Sequence, residues 1–249
     1  MIAFIYAAGR AMRLGPTSAD KPKILIEFGG KSLLEWHVQR LVEVGINKLV
    51  IVTGHKREMI RETFAGLQER HRIKIKEVIN KEFAEGSVLS FNASLPKILS
   101  APTPVLLMDG DVLYATEILR RVVHSRHRTV LLIDRNYSTA DDDPVLVPVR
   151  KGKPIEFQKK WKGAADLVGE SIGFFKIDSA DIPLLVEETR KRTVGDRRHE
   201  SYDEVLRSLV LAGRFDYEDV TGIPWTEIDF PEDIDFARTK ALPAILGRA

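Results

Sequence analysis

The run Ala7-Ala8-Gly9-Arg10-Ala11-Met12-Arg13-Leu14 follows an apolar opening stretch, and Lys21-Pro22-Lys23 comes shortly after it. Small residues at the end of a strand let backbone N–H groups approach phosphate oxygens, and Arg10, Arg13 and Lys23 add positive charge around them. An ordinary strand-to-helix turn with solvated basic residues fits the same run. Two better-known phosphate loops are excluded. Gly30-Lys31-Ser32 would need a glycine at position 25 to complete a Walker A loop, and that residue is Leu25. A dinucleotide fingerprint starting at Gly9 fails at Ala11 and Leu14.

Carboxylates gather at two distant places. An apolar run ends in Met108-Asp109-Gly110-Asp111, and Trp225-Thr226-Glu227-Ile228-Asp229-Phe230 places more acids just before Pro231. Acidic residues at the C-terminal end of a strand sit where open α/β sheets bind ligands. Hard oxygen donors from two segments suit Mg²⁺, which takes one or two carboxylates together with substrate phosphates. Taken singly, each aspartate also fits a turn or a helix cap.

Other chemistries are poorly served. Gly169-Glu170-Ser171-Ile172-Gly173 spells G-x-S-x-G, but a nucleophile elbow needs a strand before the serine and a helix after it. Here a strand-like run follows Ser171 and none precedes it. His124 and His127 lack a third ligand, and His37, His55, His71 and His199 are scattered, so surface roles are expected for them. The absence of cysteine removes disulfides, thiolate-bound metals and a cysteine nucleophile, and is compatible with a cytoplasmic location.

With 38 Lys+Arg against 36 Asp+Glu in 249 residues, the balance of charge does not announce a nucleic-acid partner. The basic residues Arg190, Lys191, Arg192, Arg197, Arg198 and His199 are expected in a solvated loop, and the acidic run at 141–143 in a solvated turn. The apolar opening, residues 1–8, is far short of the roughly 20 residues a membrane span requires and lacks a basic leader, so neither insertion nor export is expected.

The elements that must position these groups follow from periodicity. Residues 2–6, 48–53, 73–79, 104–108 and 129–133 read as strands. Leu34, Val38, Leu41 and Val42 mark one helix face, and Ile60, Phe64 and Leu67 the next. Residues 87–99 and 116–124 supply further helices, with Thr116 as N-cap of the latter. Strand-like runs at 145–149, 154–157 and 171–177 then precede helices at 178–192 and 202–211, and Pro231 suits the first turn of a terminal helix. The expected fold is Rossmann-like α/β. Its mostly parallel, mixed central sheet is flanked by helices and followed by a C-terminal α+β elaboration. The chain reads as one domain over 1–249, divided into halves at 1–134 and 135–249, the second holding the C-terminal elaboration.

The motif Ala-Ala-Gly-x-x-x-Arg-Leu, the Pro-Lys after it, Gly29-Gly30-Lys31-Ser32-Leu33-Leu34, Asp109-Gly110-Asp111 and Trp-x-Glu-Ile-Asp-Phe followed by Glu232-Asp233 together resemble the sugar-nucleotidyltransferase-like enzymes. Within them the chain is most similar to cytidylyltransferases acting on phosphocholine or aminoalkylphosphonates. The resemblance implies that Ala7, Ala8, Gly9, Arg10 and Arg13 line the nucleotide phosphates and that Lys23 binds the triphosphate. It also implies that Asp111 and Asp229 hold Mg²⁺ and that Gly86 and Ser87 meet the base and ribose. On the same resemblance, nucleotide binding belongs to the half at 1–134 and acceptor binding to the elaboration at 135–249. The implied reaction moves CMP from CTP to phosphocholine or 2-aminoethylphosphonate, with Lys23 and Arg13 as catalytic cations. Transfer to a sugar 1-phosphate is the alternative, and a non-catalytic nucleotide sensor is a more distant one. Ala11 departs from the family's second loop glycine, which leaves the loop backbone open to a different turn.

For the acceptor, Trp161, Tyr202 and Trp225 are aromatic faces for a quaternary ammonium. Glu170, Asp203 and Glu227 are candidate partners for a primary ammonium. The same aromatics also fit an ordinary core. Lys159 and Lys160 either reach the acceptor's phosphate or remain solvated.

Overall fold

The opening run forms a strand, Ile2–Ala7, with Ala3, Phe4 and Ile5 fully buried. It pairs in parallel with Lys48–Thr53 (Ala3 opposite Leu49), which pairs in parallel with Lys74–Ile79 (Leu49 opposite Ile75). The computed structural model describes residues 1–15, 21–102, 104–137 and 144–247. The expected acidic turn at 141–143 lies outside the described residues. Two units are interleaved along the chain: one comprises Met1–Ala84, Met108–Arg120 and Ile223–Ala249, the other Glu85–Leu107 and Arg121–Gly222.

In the first unit, Glu27–Phe28 and Lys31–Ser32 form a tight hairpin. Gly29 and Gly30 occupy its turn at φ 59° and 79°, the left-handed region that only glycine enters freely. Gly30-Lys31-Ser32 is therefore a hairpin turn. Ser32 then caps the helix Leu33–Glu43, its Oγ accepting from Glu35 N at 3.2 Å.

That helix buries Leu33, Leu34, His37, Val38 and Leu41. Val42, expected on the same face, is 37% exposed because the buried stripe is centred further round, through Leu33, His37 and Arg40. His37, expected at the surface, is fully buried. The expected single helix over Ile60, Phe64 and Leu67 is two, Arg57–Glu62 and Phe64–His71. They break at Thr63, whose hydroxyl donates to Ile60 O and competes with the helical ladder.

Later in this unit, Val112–Tyr114 pairs antiparallel with Trp225–Glu227, placing Tyr114 opposite Trp225 and Val112 opposite Glu227. The helix Thr116–His124 begins at Thr116. Rather than capping that helix, the Thr116 hydroxyl donates to Glu43 Oε2 at 2.6 Å. Pro231 occupies the first turn of the helix Pro231–Phe236, as expected.

The second unit has a mixed pattern. Its long strand, Leu167–Ile177, pairs antiparallel with Leu146–Arg150 and with Val130–Asp134, and Asp216–Asp219 joins the latter in parallel. The strand expected at 154–157 shrinks to Lys153–Pro154. Phe157 N donates to the Glu156 carboxylate, itself held by Arg207, and so leaves the ladder. Phe157, Phe175 and Phe215 pack edge to face at 5.9 and 6.2 Å in this unit's core. With helices Val88–Leu99, Ile182–Lys191 and Asp203–Leu211, the α/β class expected from the sequence holds. Among the described residues, no helix is long and apolar enough to cross a membrane.

Candidate active site

The basic loop is built by the end of the first strand. Ala8 O accepts from His55 N at 3.0 Å, and Gly54 beside it has no room for a side chain, since a Cβ would lie 2.5 Å from Phe83 Cβ. Arg10 lies over the Phe83 ring at 5.6 Å. Ala11 takes φ 53°, ψ 40°, so the left-handed turn a loop glycine would make is made here by alanine, with its strain. A short 3-10 turn, Met12–Leu14, follows and buries Leu14 completely. Anchoring Leu14 aims its neighbour outward: Arg13 Nη2 lies 3.0 Å from Asp229 Oδ2, with the guanidinium over the Phe230 ring.

Lys23 opens a second 3-10 turn whose Ile24 and Leu25 are buried. Its ammonium meets carboxylates from both acidic segments, at 3.0 Å from Asp111 Oδ2 and 2.5 Å from Asp229 Oδ1. Burial alone would lower the Lys23 pKa, but the charges of Asp111 and Asp229 and their hydrogen bonds raise it well above its ordinary value. Lys23 is a fixed cation at neutral pH.

The acids converge because two short strands pair. The strand Val105–Asp109 ends in a turn at Gly110, where a Cβ would come within 2.8 Å of Tyr6 O. Asp111 O then accepts from Ile228 N at 2.9 Å, extending the Val112–Glu227 ladder by one step. Strand alternation puts Glu227 and Asp229 on one face, with Ile228 buried on the other. Asp233 fixes the exit, its Oδ2 accepting from Asp229 N and Phe230 N at 2.8 and 2.7 Å. One carboxylate oxygen each from Asp111, Glu227 and Asp229 then lie within 4.8 Å of one another.

Glu227 is exposed as a residue, yet lost solvation around its carboxyl raises its pKa well above the carboxylate range. The charges of Asp111, Asp229 and Asp109 add to that shift. Three hard oxygen donors converging from two segments fit Mg²⁺.

The remaining expected residues fall elsewhere. Trp225 is half-buried in the same unit, opposite Tyr114. In the second unit Gly86 is buried under that unit's own backbone, whereas Ser87 is exposed. Gly86 N donates to Arg198 O, any Cβ there would lie 2.4 Å from Glu200 O, and Ser87 Oγ accepts from Tyr202 N at 3.0 Å. Tyr202 stacks on Phe91 with ring centroids 4.8 Å apart. Burial raises the Asp203 pKa against an opposing hydrogen bond from Ser201, and the charge of Lys159 also opposes it. Trp161 is half-buried, and its Nε1 has no hydrogen-bond partner among the described residues.

Lys159 and Lys160 are exposed, and Glu170 lies mid-strand opposite Leu146. Ser171 is also mid-strand, without the strand-turn-helix geometry of a nucleophile elbow. Much of the basic 190–199 stretch is neutralised locally: Lys191 by Glu187 and Glu188, Arg192 by Glu188 and Glu200, Arg197 by Glu200 and Arg198 by Glu85.

The sequence profile of the MobA-like NTP transferase domain matches residues 3–169, two-thirds of the chain. The chain belongs to that family. This NTP transferase is 19% identical over 255 residues to the CTP:phosphoglutamine cytidylyltransferase of Campylobacter jejuni, covering 94% of this chain and 98% of that protein. It is 26% identical over 253 residues to the CMP-5'-(3-aminopropyl)phosphonate synthase of Streptomyces rubellomurinus, covering 93% of this chain but only 37% of that one. The fold matches the CTP:phosphocholine cytidylyltransferase of Streptococcus pneumoniae with a TM-score of 0.74 at 21% identity, over 95% of this chain and 97% of that one.

In this NTP transferase the sequence reading missed two things. Glu227 joins the acidic cluster beside Asp111 and Asp229, a placement its two-residue spacing from Asp229 would have indicated. His37 falls on the apolar helix face marked by Leu34, Val38 and Leu41, the one signal of its burial.

Proposed function

We propose that this nucleotidyltransferase moves CMP from CTP to a small phosphomonoester or phosphonate bearing a cationic group, with phosphocholine and 2-aminoethylphosphonate the leading acceptors. The observation that carries the reading is the Lys23 ammonium between Asp111 and Asp229, with Arg13 on the far oxygen of Asp229. It sets two cations and a divalent-ion site side by side, as a triphosphate requires. The cytidine donor named for both sequence relatives supports CTP, and their different acceptors leave that end of the substrate broader.

A phosphomonoester has a second pKa near ~6, so its oxygen is anionic at neutral pH and attacks without a protein base. That oxygen bonds to the α-phosphorus of CTP. The bond from the α-phosphorus to the bridging oxygen breaks, and its electron pair leaves with pyrophosphate. Lys23 and Arg13 stabilise the charge that builds on the departing group, and the prior anchoring of Lys23 means little reorganisation during the step. Mg²⁺ held by Asp111, Glu227 and Asp229 would add positive charge at the phosphates.

Pyrophosphate release across the four NTPs, set against a panel of amino-alcohol phosphates, aminoalkylphosphonates and sugar 1-phosphates, tests this. CTP with an amino-alcohol phosphate or aminoalkylphosphonate is expected to give the highest kcat/KM. A higher value for UTP or GTP with a sugar 1-phosphate would overturn the substrate assignment.

A further inference from the structure

His37 stands outside the chemistry described so far, yet it touches the backbone that aims it. It is fully buried, with Nε2 3.3 Å from Gly110 O and Nδ1 3.2 Å from the hydroxyl of Tyr114, itself buried. Gly110 lies between Asp109 and Asp111, and Tyr114 faces Trp225 across the ladder that carries Glu227. One imidazole therefore grips both the acidic turn and the strand that pairs with the other acidic segment.

The contacts also fix the imidazole's protons. A carbonyl only accepts, so Nε2 carries the hydrogen and donates to Gly110 O. Nδ1 is then bare and accepts from Tyr114 O–H. Tyr6 O and the Ile24 side chain also close on Gly110, leaving no space for even a Cβ. The turn is thus packed against the first strand and held by His37. A leucine at 37 would fill part of the volume but leave Gly110 O and the Tyr114 hydroxyl buried without these partners.

We infer that His37 is a positioning residue for the divalent-cation site. Through Gly110 O and Tyr114 it holds the Asp111 carboxylate in register with Glu227 and Asp229. This rests on the metal reading above. Groups that orient metal-binding side chains typically change metal affinity by about 10- to 100-fold when removed.

The test is Mn²⁺ binding to the whole protein, without nucleotide, followed by electron paramagnetic resonance in wild type, His37→Leu, His37→Gln and Tyr114→Phe. His37→Leu is expected to weaken Mn²⁺ binding by about 10-fold or more. His37→Gln, whose amide can still donate to Gly110 O, should recover most of that loss. Tyr114→Phe keeps ring and volume and should give an intermediate loss, so it carries the test if His37→Leu does not fold.

Nitrogen NMR of wild type, with His37 assigned by its disappearance in His37→Gln, should show the Nε2–H tautomer. Folded variants that bind Mn²⁺ as wild type does, or the Nδ1–H tautomer, would overturn the inference while leaving the metal reading standing. A wild-type protein that binds no Mn²⁺ would overturn both.

Discussion

Lys23 and Asp229 are separated by 206 positions in sequence, and the Lys23 ammonium lies 2.5 Å from the Asp229 carboxylate. That contact joins the amino-terminal basic loop to the carboxy-terminal acidic segment within one unit. It places a permanent cation between two of the three clustered carboxylates.

Replacing Lys23 by Met should therefore cost turnover more than nucleotide binding. Loss of one preorganised electrostatic donor slows catalysis by about 10²- to 10³-fold. Steady-state kinetics on folded Lys23→Met, with CTP affinity measured separately, checks this. Wild-type kcat in that variant would remove Lys23 from the chemistry.

Glu227 separates two assignments of the same residue. If it belongs with Asp111 and Asp229, Glu227→Gln raises the Mg²⁺ concentration needed for half-maximal rate and leaves the acceptor KM nearly unchanged. If it instead pairs with the acceptor's ammonium, the acceptor KM rises and the Mg²⁺ requirement stays put. Titrating each in turn decides between them.

The candidate site residues were more legible in the sequence than their arrangement. Arg13 and Lys23 stand in a basic motif that suits a polyanion, Asp111 and Asp229 in acidic motifs that suit a cation, and the structure gathers all four. The place of Glu227 beside Asp111 was not legible because a single acid reads the same beside a metal as beside an ammonium until its strand partner is known. His37 was missed because burial is a property of the helix face, and one polar residue among Leu34, Val38 and Leu41 looks like an interruption of the stripe. The break at Thr63 and the loss of the 154–157 strand have a common cause. Side chains there, the Thr63 hydroxyl and the Glu156 carboxylate, take up hydrogen bonds with nearby backbone, a competition that hydrophobic periodicity does not register.

Ala11 offers a stability test of the loop. Its left-handed backbone costs an alanine about 1 kcal/mol or more relative to glycine. Glycine's greater freedom in the unfolded chain returns part of that. Ala11→Gly should be stabilising by up to about 0.5 kcal/mol, read from urea unfolding, with the CTP KM unchanged or lower. Destabilisation by about 1 kcal/mol or more would mean that the strain is absent.

His37 should also leave a mark on acid stability. Burial pushes its imidazole down to about 4, against weaker opposing effects of the Gly110 carbonyl and the Asp111 charge. The unfolded chain takes up this proton near ~6.5 and the folded chain only near 4. Stability from this group is therefore complete above about pH 6.5 and is lost as pH falls toward 4, by about 3 kcal/mol in all. Unfolding free energies at pH 7, 5.5 and 4 should fall more steeply for wild type than for His37→Gln. Equal slopes would contradict the buried neutral state.

Transfer of label from α-phosphate-labelled CTP to phosphocholine or 2-aminoethylphosphonate, with and without Mg²⁺, in wild type and Asp229→Asn, tests the central claim most directly. The labelled mixed anhydride of CMP with the acceptor should form in wild type only with Mg²⁺ present and fall by about 100-fold or more in Asp229→Asn while CTP still binds. Equal transfer in the presence of a chelator, or a wild-type rate in Asp229→Asn, would contradict a cation site shared by the two acidic segments.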